Sequence, residues 1–285
     1  YYDLRTRALG LDELRHYDVY VPLVDQKESR HSYEEAVDIV SASLAPLGQD
    51  YVATLRAGLL GGWVDRYENK GKRSGAFSAG SFSGEPYILL NYKDDVVKDI
   101  FTMAHEGGHS MHSWHSVRSN PFMCYSYTIF EAEVASTFNE QLVFKYLYDH
   151  AASDEERISL LANRVDDTLA TLFRQTMFAE FEAVTHTMAE AGEALTVDSL
   201  RAAYRQLLEK YFGPRMKLEA VSDLEGLRIP HFYNAFYVYK YSTGISASIA
   251  LSERVLHGGA AERDAYFASL KSGGKRLPIE AVKVA

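Results

Sequence analysis

Apolar residues recur at helical spacing through most of the chain, whereas the alternating pattern of strands is scarce. The periodicity predicts a mainly α-helical protein. Capping boxes, in which a Ser N-cap is followed three residues later by Glu, mark helix starts at Ser32 and Ser153. The predicted helices cover about residues 11–17, 32–48, 50–67, 95–114, 128–149, 153–191, 197–212, 233–257 and 260–271.

One segment, residues 69–86, interrupts this pattern with four glycines and four serines. It precedes the apolar run YILLNY at residues 87–92, so we expect a mobile loop that leads into one strand. The loop lacks the Lys-Ser/Thr ending of a P-loop and therefore does not predict phosphate binding. An extended peptide could pair with the strand through main-chain hydrogen bonds; the alternative is a surface loop without contacts.

Composition narrows the class of protein. With 285 residues and 47% hydrophobic content, the chain can bury a large core, and we expect one catalytic domain over residues 1–285. A net charge of −9 without a long basic cluster argues against nucleic acid as a partner. The single cysteine, Cys124, favours a reducing, cytoplasmic location. No apolar run approaches the ~18 residues of a membrane span, and the pattern does not indicate an oligomeric state.

The strongest motif is H-E-x-x-H, formed by His105, Glu106 and His109 within a predicted helix. Histidines four residues apart lie about 40° apart on one helix face, so both imidazoles can reach one zinc ion. Glu106 lies beside them, where it can take a proton from a water that zinc activates. Two ordinary histidines on a polar face are the alternative. Gly107 and Gly108, which each cost a helix about 1 kcal/mol relative to Ala, favour the metal site.

A catalytic zinc ion has three protein ligands and one open position, so a third ligand is needed. His115 has the spacing of the third metzincin histidine, but that motif requires a glycine where this chain has His112. A continuing helix rotates His115 by about 240° from His109, which excludes it as a ligand. His112 is expected beside a ligand residue or at the surface.

A second helix supplies a better ligand. Glu133 and Glu140 share one face of the segment FEAEVASTFNEQ, with small residues between them and apolar residues around them. Buried carboxylates need a partner, and a metal ion is one. We predict that Glu133 is the third ligand of one Zn²⁺ per chain and that Glu140 orients a ligand histidine. A solvated face of an amphipathic helix is the alternative.

Three segments in combination resemble the thimet-type zinc metallopeptidases, within them the oligoendopeptidase F branch. They are HEGGHSMH at residues 105–112, YTIFEAEVASTFNE at 127–140 and IPHFYNAFYVYKYSTG at 229–244. The resemblance implies a large helical zincin-type peptidase domain with a small strand and loop element beside the active-site helix, and oligopeptide substrates. It also implies the same three zinc ligands, with the glutamate of H-E-x-x-H as general base. Family members are about twice as long, so the chain is expected to be the C-terminal catalytic part of a longer one.

The third segment supplies candidates for stabilising charge on the reacting carbonyl oxygen. In a helix, Tyr233, Tyr237 and Tyr241 would form one stripe, with Tyr239 off it. Such a stripe is often plain core. The resemblance implies instead that a histidine and tyrosines here contact substrate and oxyanion. His231 and Tyr241 match best, and the choice between Tyr237 and Tyr239 stays open.

Together these inferences predict a zinc metalloendopeptidase that hydrolyses short peptides. One alternative is a zinc carboxypeptidase or dipeptidase, which needs a cation for the substrate's terminal carboxylate. Another is a non-catalytic helical protein with a structural zinc, which needs a fourth protein ligand. Neither such a cation nor such a ligand stands out near the motifs.

Overall fold

The computed structural model describes residues 1–24 and 30–285, and most of them are helical, which confirms the predicted class. The α-helices are α1 (Tyr2–Ala8), α2 (Tyr33–Ser43), α3 (Gln49–Leu60), α4 (Lys98–Ser119), α5 (Ile129–His150), α6 (Asp154–Thr168), α7 (Gln175–Glu190), α8 (Val197–Phe212), α9 (Glu225–Arg228), α10 (Tyr239–Gly258), α11 (Ala260–Leu270) and α12 (Pro278–Val284). The short strands are β1 (Leu14–Arg15), β2 (Val64–Asp65), β3 (Phe77–Ala79), β4 (Tyr87–Leu89) and β5 (Met216–Lys217).

Capping boxes mark the starts of α2 and α5. The box at Ser32 is present: the Glu35 amide donates to Ser32 Oγ at 3.2 Å, and the Ser32 amide donates to the Glu35 carboxylate at 2.7 Å. A further box, at Thr128, starts α5, where the Thr128 amide donates to Glu131 Oε2 at 2.8 Å. Both pairs satisfy amides that a helix start leaves without intrahelical partners.

Two of the predicted helix limits were wrong. The first helix is Tyr2–Ala8 rather than residues 11–17, because Leu14 is buried and pairs in parallel with Met216. The third ends at Leu60, where two glycines follow, rather than at residue 67. The helix predicted over 153–191 has the expected limits, with a π-helical turn, Leu169–Arg174, between α6 and α7.

The Tyr-rich helix also begins later than predicted, at Tyr239 instead of Tyr233. Residues Pro230–Tyr233 form a 3₁₀ turn, and Phe236 has a left-handed φ of 58°. That conformation cannot continue a right-handed helix. Tyr233 therefore does not share a helical stripe with the later tyrosines, and it is 89% exposed.

The strand next to the Gly/Ser segment lies inside a three-stranded sheet of order β2-β4-β3. β4 pairs in parallel with β2 and antiparallel with β3, so the expectation that a peptide pairs with the YILLNY strand was wrong. The edge strands are β2 and β3, and β3 belongs to the segment predicted to be a mobile loop. It packs on α4, where Ser78 Oγ lies 2.8 Å from Ser110 Oγ. The predicted strand-and-loop element beside this helix is therefore present.

Contacts divide the chain into two compact units, Tyr1–Gln26 with Leu161–Ser242, and Lys27–Leu160 with Thr243–Ala285. The core of the first unit comes mainly from α7 and α8, around Phe181 and Tyr204. The core of the second comes mainly from α2, α3, α4 and α5. A single catalytic domain over residues 1–285 stays a prediction. Within the described part of the chain, every helix is too short or too polar to span a bilayer.

Candidate metal centre

Two closely packed helices, α4 and α5, carry the predicted metal-binding residues. A Cβ atom on Gly108 would lie 2.5 Å from the carbonyl oxygen of Ala135 and 2.7 Å from the Cα of Ser136. Since real Cβ atoms do not approach backbone so closely, this contact requires glycine. The packing reason that the sequence suggested for the glycine pair therefore exists at Gly108.

His105, His109 and Glu133 come together as predicted. Their potential ligand atoms all lie within 4.8 Å of one another. The two imidazole rings are nearly perpendicular, with centroids 4.8 Å apart, and His105 Nε2 lies 3.7 Å from Glu133 Oε2. Two imidazole nitrogens and one carboxylate form the donor set of many catalytic zinc sites.

Neighbouring groups orient both histidines. Glu140 Oε1 lies 2.5 Å from His105 Nδ1, which leaves Nε2 of that ring on the side of Glu133. The backbone of Ala132 hydrogen-bonds to the ring of His109. Each ring is therefore held through one nitrogen, and the other is available to a metal. Glu140 has the position that its spacing predicted.

The negative charges of the carboxylates at this site are poorly compensated. Glu106 is 6% exposed, and its Oε2 is buried without a hydrogen-bond partner among the residues that the structure describes. Burial raises the pKa of Glu106 to about 7, and the negative charges of Glu133 and Glu140 add to the shift. Burial also raises the pKa of Glu133. Both shifts show that negative charge here is costly.

The pKa values of the two histidines are shifted in opposite directions. Burial acts to lower the pKa of His105, but the hydrogen bond and charge of Glu140, with the charges of Glu106 and Glu133, raise it to about 9. Burial and the neighbouring His105 hold the pKa of His109 well below its usual value. His105 thus interacts with three carboxylates, those of Glu106, Glu133 and Glu140. A divalent cation would balance this excess of negative charge, so the residues fit a zinc ion.

The two other histidines of the motif region lie elsewhere on α4. The helix continues to Ser119, and the His115 ring stacks on Tyr51 with centroids 6.1 Å apart. Its exclusion as a ligand agrees with this geometry. His112 is buried, so the surface alternative was wrong; its ring stacks on Tyr127 at 3.6 Å. The Tyr127 hydroxyl in turn donates to the backbone carbonyl of His109 at 3.3 Å.

Sequence reasoning missed two residues that shape the site. One is Tyr127, described above. The other is Gly244, where a Cβ atom would lie 2.9 Å from the Cβ of Glu133. α10 can therefore pass this ligand only with a glycine at that position. A glycine inside an otherwise helical pattern was the available signal.

His231, Tyr237 and Tyr241 form an aromatic cluster within the first unit. The His231 ring lies 5.8 Å from that of Tyr237 and 6.2 Å from that of Tyr241, and the two tyrosine hydroxyls are 3.5 Å apart. Tyr239 is 38% exposed. The cluster favours Tyr237 over Tyr239 as the companion of His231, while the role of all three stays a prediction.

Comparison with known proteins gives the family. The model of peptidase family M3 matches residues 1–285. The chain is 47% identical over its whole length to an oligoendopeptidase F homolog of Borreliella burgdorferi, covering 48% of that protein. It is 45% identical, again over its whole length, to oligopeptidase PepF of Bacillus subtilis, covering 42% of that protein.

A solved structure, that of oligoendopeptidase-F from Enterococcus faecium, has a TM-score of 0.73 and 32% identity, with 100% of this chain and 44% of that chain covered. The chain thus spans about half the length of the curated relatives it matches. Since the family match and the full-length similarities agree, the chain belongs to peptidase family M3, in its oligoendopeptidase F branch.

Proposed function

We propose that the chain carries the active site of a zinc metalloendopeptidase that cleaves oligopeptides. The observation that supports this most is the convergence of His105, His109 and Glu133 beside a buried glutamate, Glu106. One oxygen of Glu106 has no hydrogen-bond partner in the described part of the chain. The names of its relatives, oligoendopeptidase F and oligopeptidase, indicate the substrate class for those proteins. We extend that class to this chain.

In the proposed reaction, His105, His109 and Glu133 hold the zinc ion. Zinc in such a site supplies a Lewis acid that polarises the peptide carbonyl and makes a nearby water more acidic. Glu106 accepts a proton from the water as it attacks the scissile carbonyl, then donates that proton to the leaving amine. Its unpaired Oε2 is the atom available to take this proton.

His231 and Tyr241 are the proposed donors to the oxyanion, with Tyr237 beside them. Imidazole and phenol groups can both donate a hydrogen bond to the oxygen on which negative charge develops. Support comes from their clustering within one unit, where Tyr237 joins the two rings. A peptide backbone would pair with β3, the edge strand that packs on α4, instead of the central strand β4.

Hydrolysis of an internally quenched peptide of about eight residues, with both ends blocked, tests the proposal. We expect the zinc-loaded chain to cleave it, and Glu106→Gln to keep its zinc while losing at least about 10²-fold in kcat. Glu280→Gln, which removes an exposed carboxylate in α12, is the control and should match the wild type.

Blocked ends separate the alternatives, because a carboxypeptidase or dipeptidase requires a free terminus. Cleavage only of the unblocked peptide would indicate that kind of enzyme. Zinc binding without cleavage of either peptide would contradict catalysis by this chain. Absence of bound zinc, measured on the same samples, would contradict the proposed site itself.

A further inference from the structure

A buried amide joins three helices next to the metal centre. Asn139 is 0% exposed and precedes Glu140 on α5. Its Nδ2 donates to the backbone carbonyl of Ala104 on α4 at 3.1 Å, and its Oδ1 accepts a hydrogen bond from the Tyr51 hydroxyl on α3 at 3.3 Å. Ala104 immediately precedes His105.

The need of a backbone carbonyl for a hydrogen-bond donor does not explain why a buried asparagine lies here. Ala104 lies inside α4, where its carbonyl already accepts a backbone hydrogen bond of the helix. A buried amide costs free energy unless it is hydrogen-bonded, and a leucine of similar size would fill the same space without that cost. What Asn139 adds is a directional link between α5 and one particular residue of α4.

The metal centre needs such a link because His105 meets two residues of α5. Glu140 reaches its Nδ1, and Glu133 lies on the side of its Nε2. A shift of α5 by one residue, about 1.5 Å along its axis and 100° around it, would remove both contacts. The close approach at Gly108 fixes the distance between the helices. Their axial register needs a directional contact, and the hydrogen bond from Asn139 to Ala104 is one.

We propose that Asn139, oriented by Tyr51, is a positioning residue of the metal centre. It fixes the register of α5 on α4, so that Glu133 and Glu140 both meet His105. This role rests on the proposed function, since it assumes that these residues bind zinc. The side chain of Asn139 hydrogen-bonds to Ala104 and Tyr51 rather than to a metal ligand, so it acts through the helices.

The test compares zinc affinity, measured by chelator competition, in the wild type and Asn139→Leu. We expect the zinc dissociation constant to rise by about 10- to 100-fold, as it does when groups that orient metal ligands are removed. With zinc in excess, kcat should fall more than KM changes. The visible absorption of the cobalt-substituted chain should change as well, because ligand geometry sets it.

Asn120→Leu is the matched control. Asn120 is also a buried asparagine, and its Nδ2 donates to the carbonyls of Ser116 and Lys271 at 2.7 and 2.9 Å. Its loss should lower the melting temperature without changing zinc affinity or the cobalt spectrum. Tyr51→Phe removes one hydroxyl and keeps the ring, so it should remain folded and weaken zinc binding by about 2- to 10-fold.

Three results would overturn the inference. The first is a folded Asn139→Leu variant that binds zinc as tightly as the wild type. The second is a Tyr51→Phe variant that binds zinc as tightly as the wild type, and this test remains available if Asn139→Leu does not fold. The third is an equal loss of affinity in Asn120→Leu, because that would show a general effect of destabilisation. A wild-type chain that binds no zinc would instead contradict the proposed function, so the two failures can be distinguished.

Discussion

Gly108→Ala gives a sharp test of the contact between α4 and α5. The added Cβ would lie 2.5 Å from the Ala135 carbonyl oxygen, about 0.9 Å short of the 3.4 Å at which ordinary contact begins. The opposing atoms belong to the backbone of α5, so no side-chain rotation can remove the overlap. The helices must separate, which also moves Glu133 away from the two histidines.

The expected cost follows from two opposing effects. Overpacking a well-packed interface costs about 1–3 kcal/mol, and rigid backbone on both sides places this site near the upper end. Ala is about 1 kcal/mol better than Gly inside a helix. Gly108→Ala should therefore lower the free energy of unfolding by about 2 kcal/mol.

Gly107→Ala is the matched control. Its Cβ would approach the end of the Leu55 side chain at 3.2 Å, and that side chain can move. The gain in helix propensity should then dominate, with stabilisation of about 0.5–1 kcal/mol. Urea titrations of both variants in EDTA, followed by zinc affinity measurements, check the prediction. Shifts of the same sign, or wild-type stability and zinc affinity in Gly108→Ala, would refute the reasoning.

Further predictions concern acidity, catalysis and backbone strain. Burial, with Lys271 and Arg118 nearby, lowers the pKa of His115 to about 4, so as the pH falls the unfolded chain binds the proton first. In EDTA, the free energy of unfolding should therefore fall as the pH is lowered from about 6.5 to 4, and His115 should contribute up to ~3 kcal/mol of that loss. In urea titrations, His115→Gln should lose less stability over the same pH range than the wild type. Identical pH profiles of the two proteins would contradict this. Tyr241→Phe should lower kcat by about 10²-fold with little change in KM, and an unchanged kcat in the quenched-peptide assay would remove it from the oxyanion site. Phe236 has a φ of 58°, so Phe236→Gly should be more stable than Phe236→Ala by about 1 kcal/mol in denaturant titrations, whereas equal midpoints would argue against strain there.

Local spacing explains why the centre of the site could be predicted from the sequence. One helical turn brings His105 and His109 to the same face, and two turns do the same for Glu133 and Glu140. These relations need only a helix, which hydrophobic periodicity identifies well. To predict which carboxylate faces which histidine, one must also assume that the two helices pack against each other. Gly108 was the sequence signal for that contact.

Residues that act through tertiary contacts were harder to find. Nothing local distinguishes Asn139 from any asparagine in a helix, because its partners come from α3 and α4. The start of α10 was predicted wrongly for a similar reason. The Phe236 amide donates to the buried carboxylate of Glu182 at 2.9 Å, a contact between residues 54 positions apart that supports a left-handed turn where periodicity predicted helix. The strand order also depends on pairing between distant segments, so the edge strands could not be identified in advance.

The central claim is that His105, His109 and Glu133 hold one zinc ion, and zinc-edge X-ray absorption of the zinc-loaded chain tests it most directly. We expect a spectrum with two imidazole rings, with oxygen in the remaining positions and no sulfur. Glu133→Ala should bind zinc more weakly and retain both imidazole signals. Scattering from a sulfur ligand, for which Cys124 is the only cysteine in the sequence, or from fewer than two imidazoles would contradict the account.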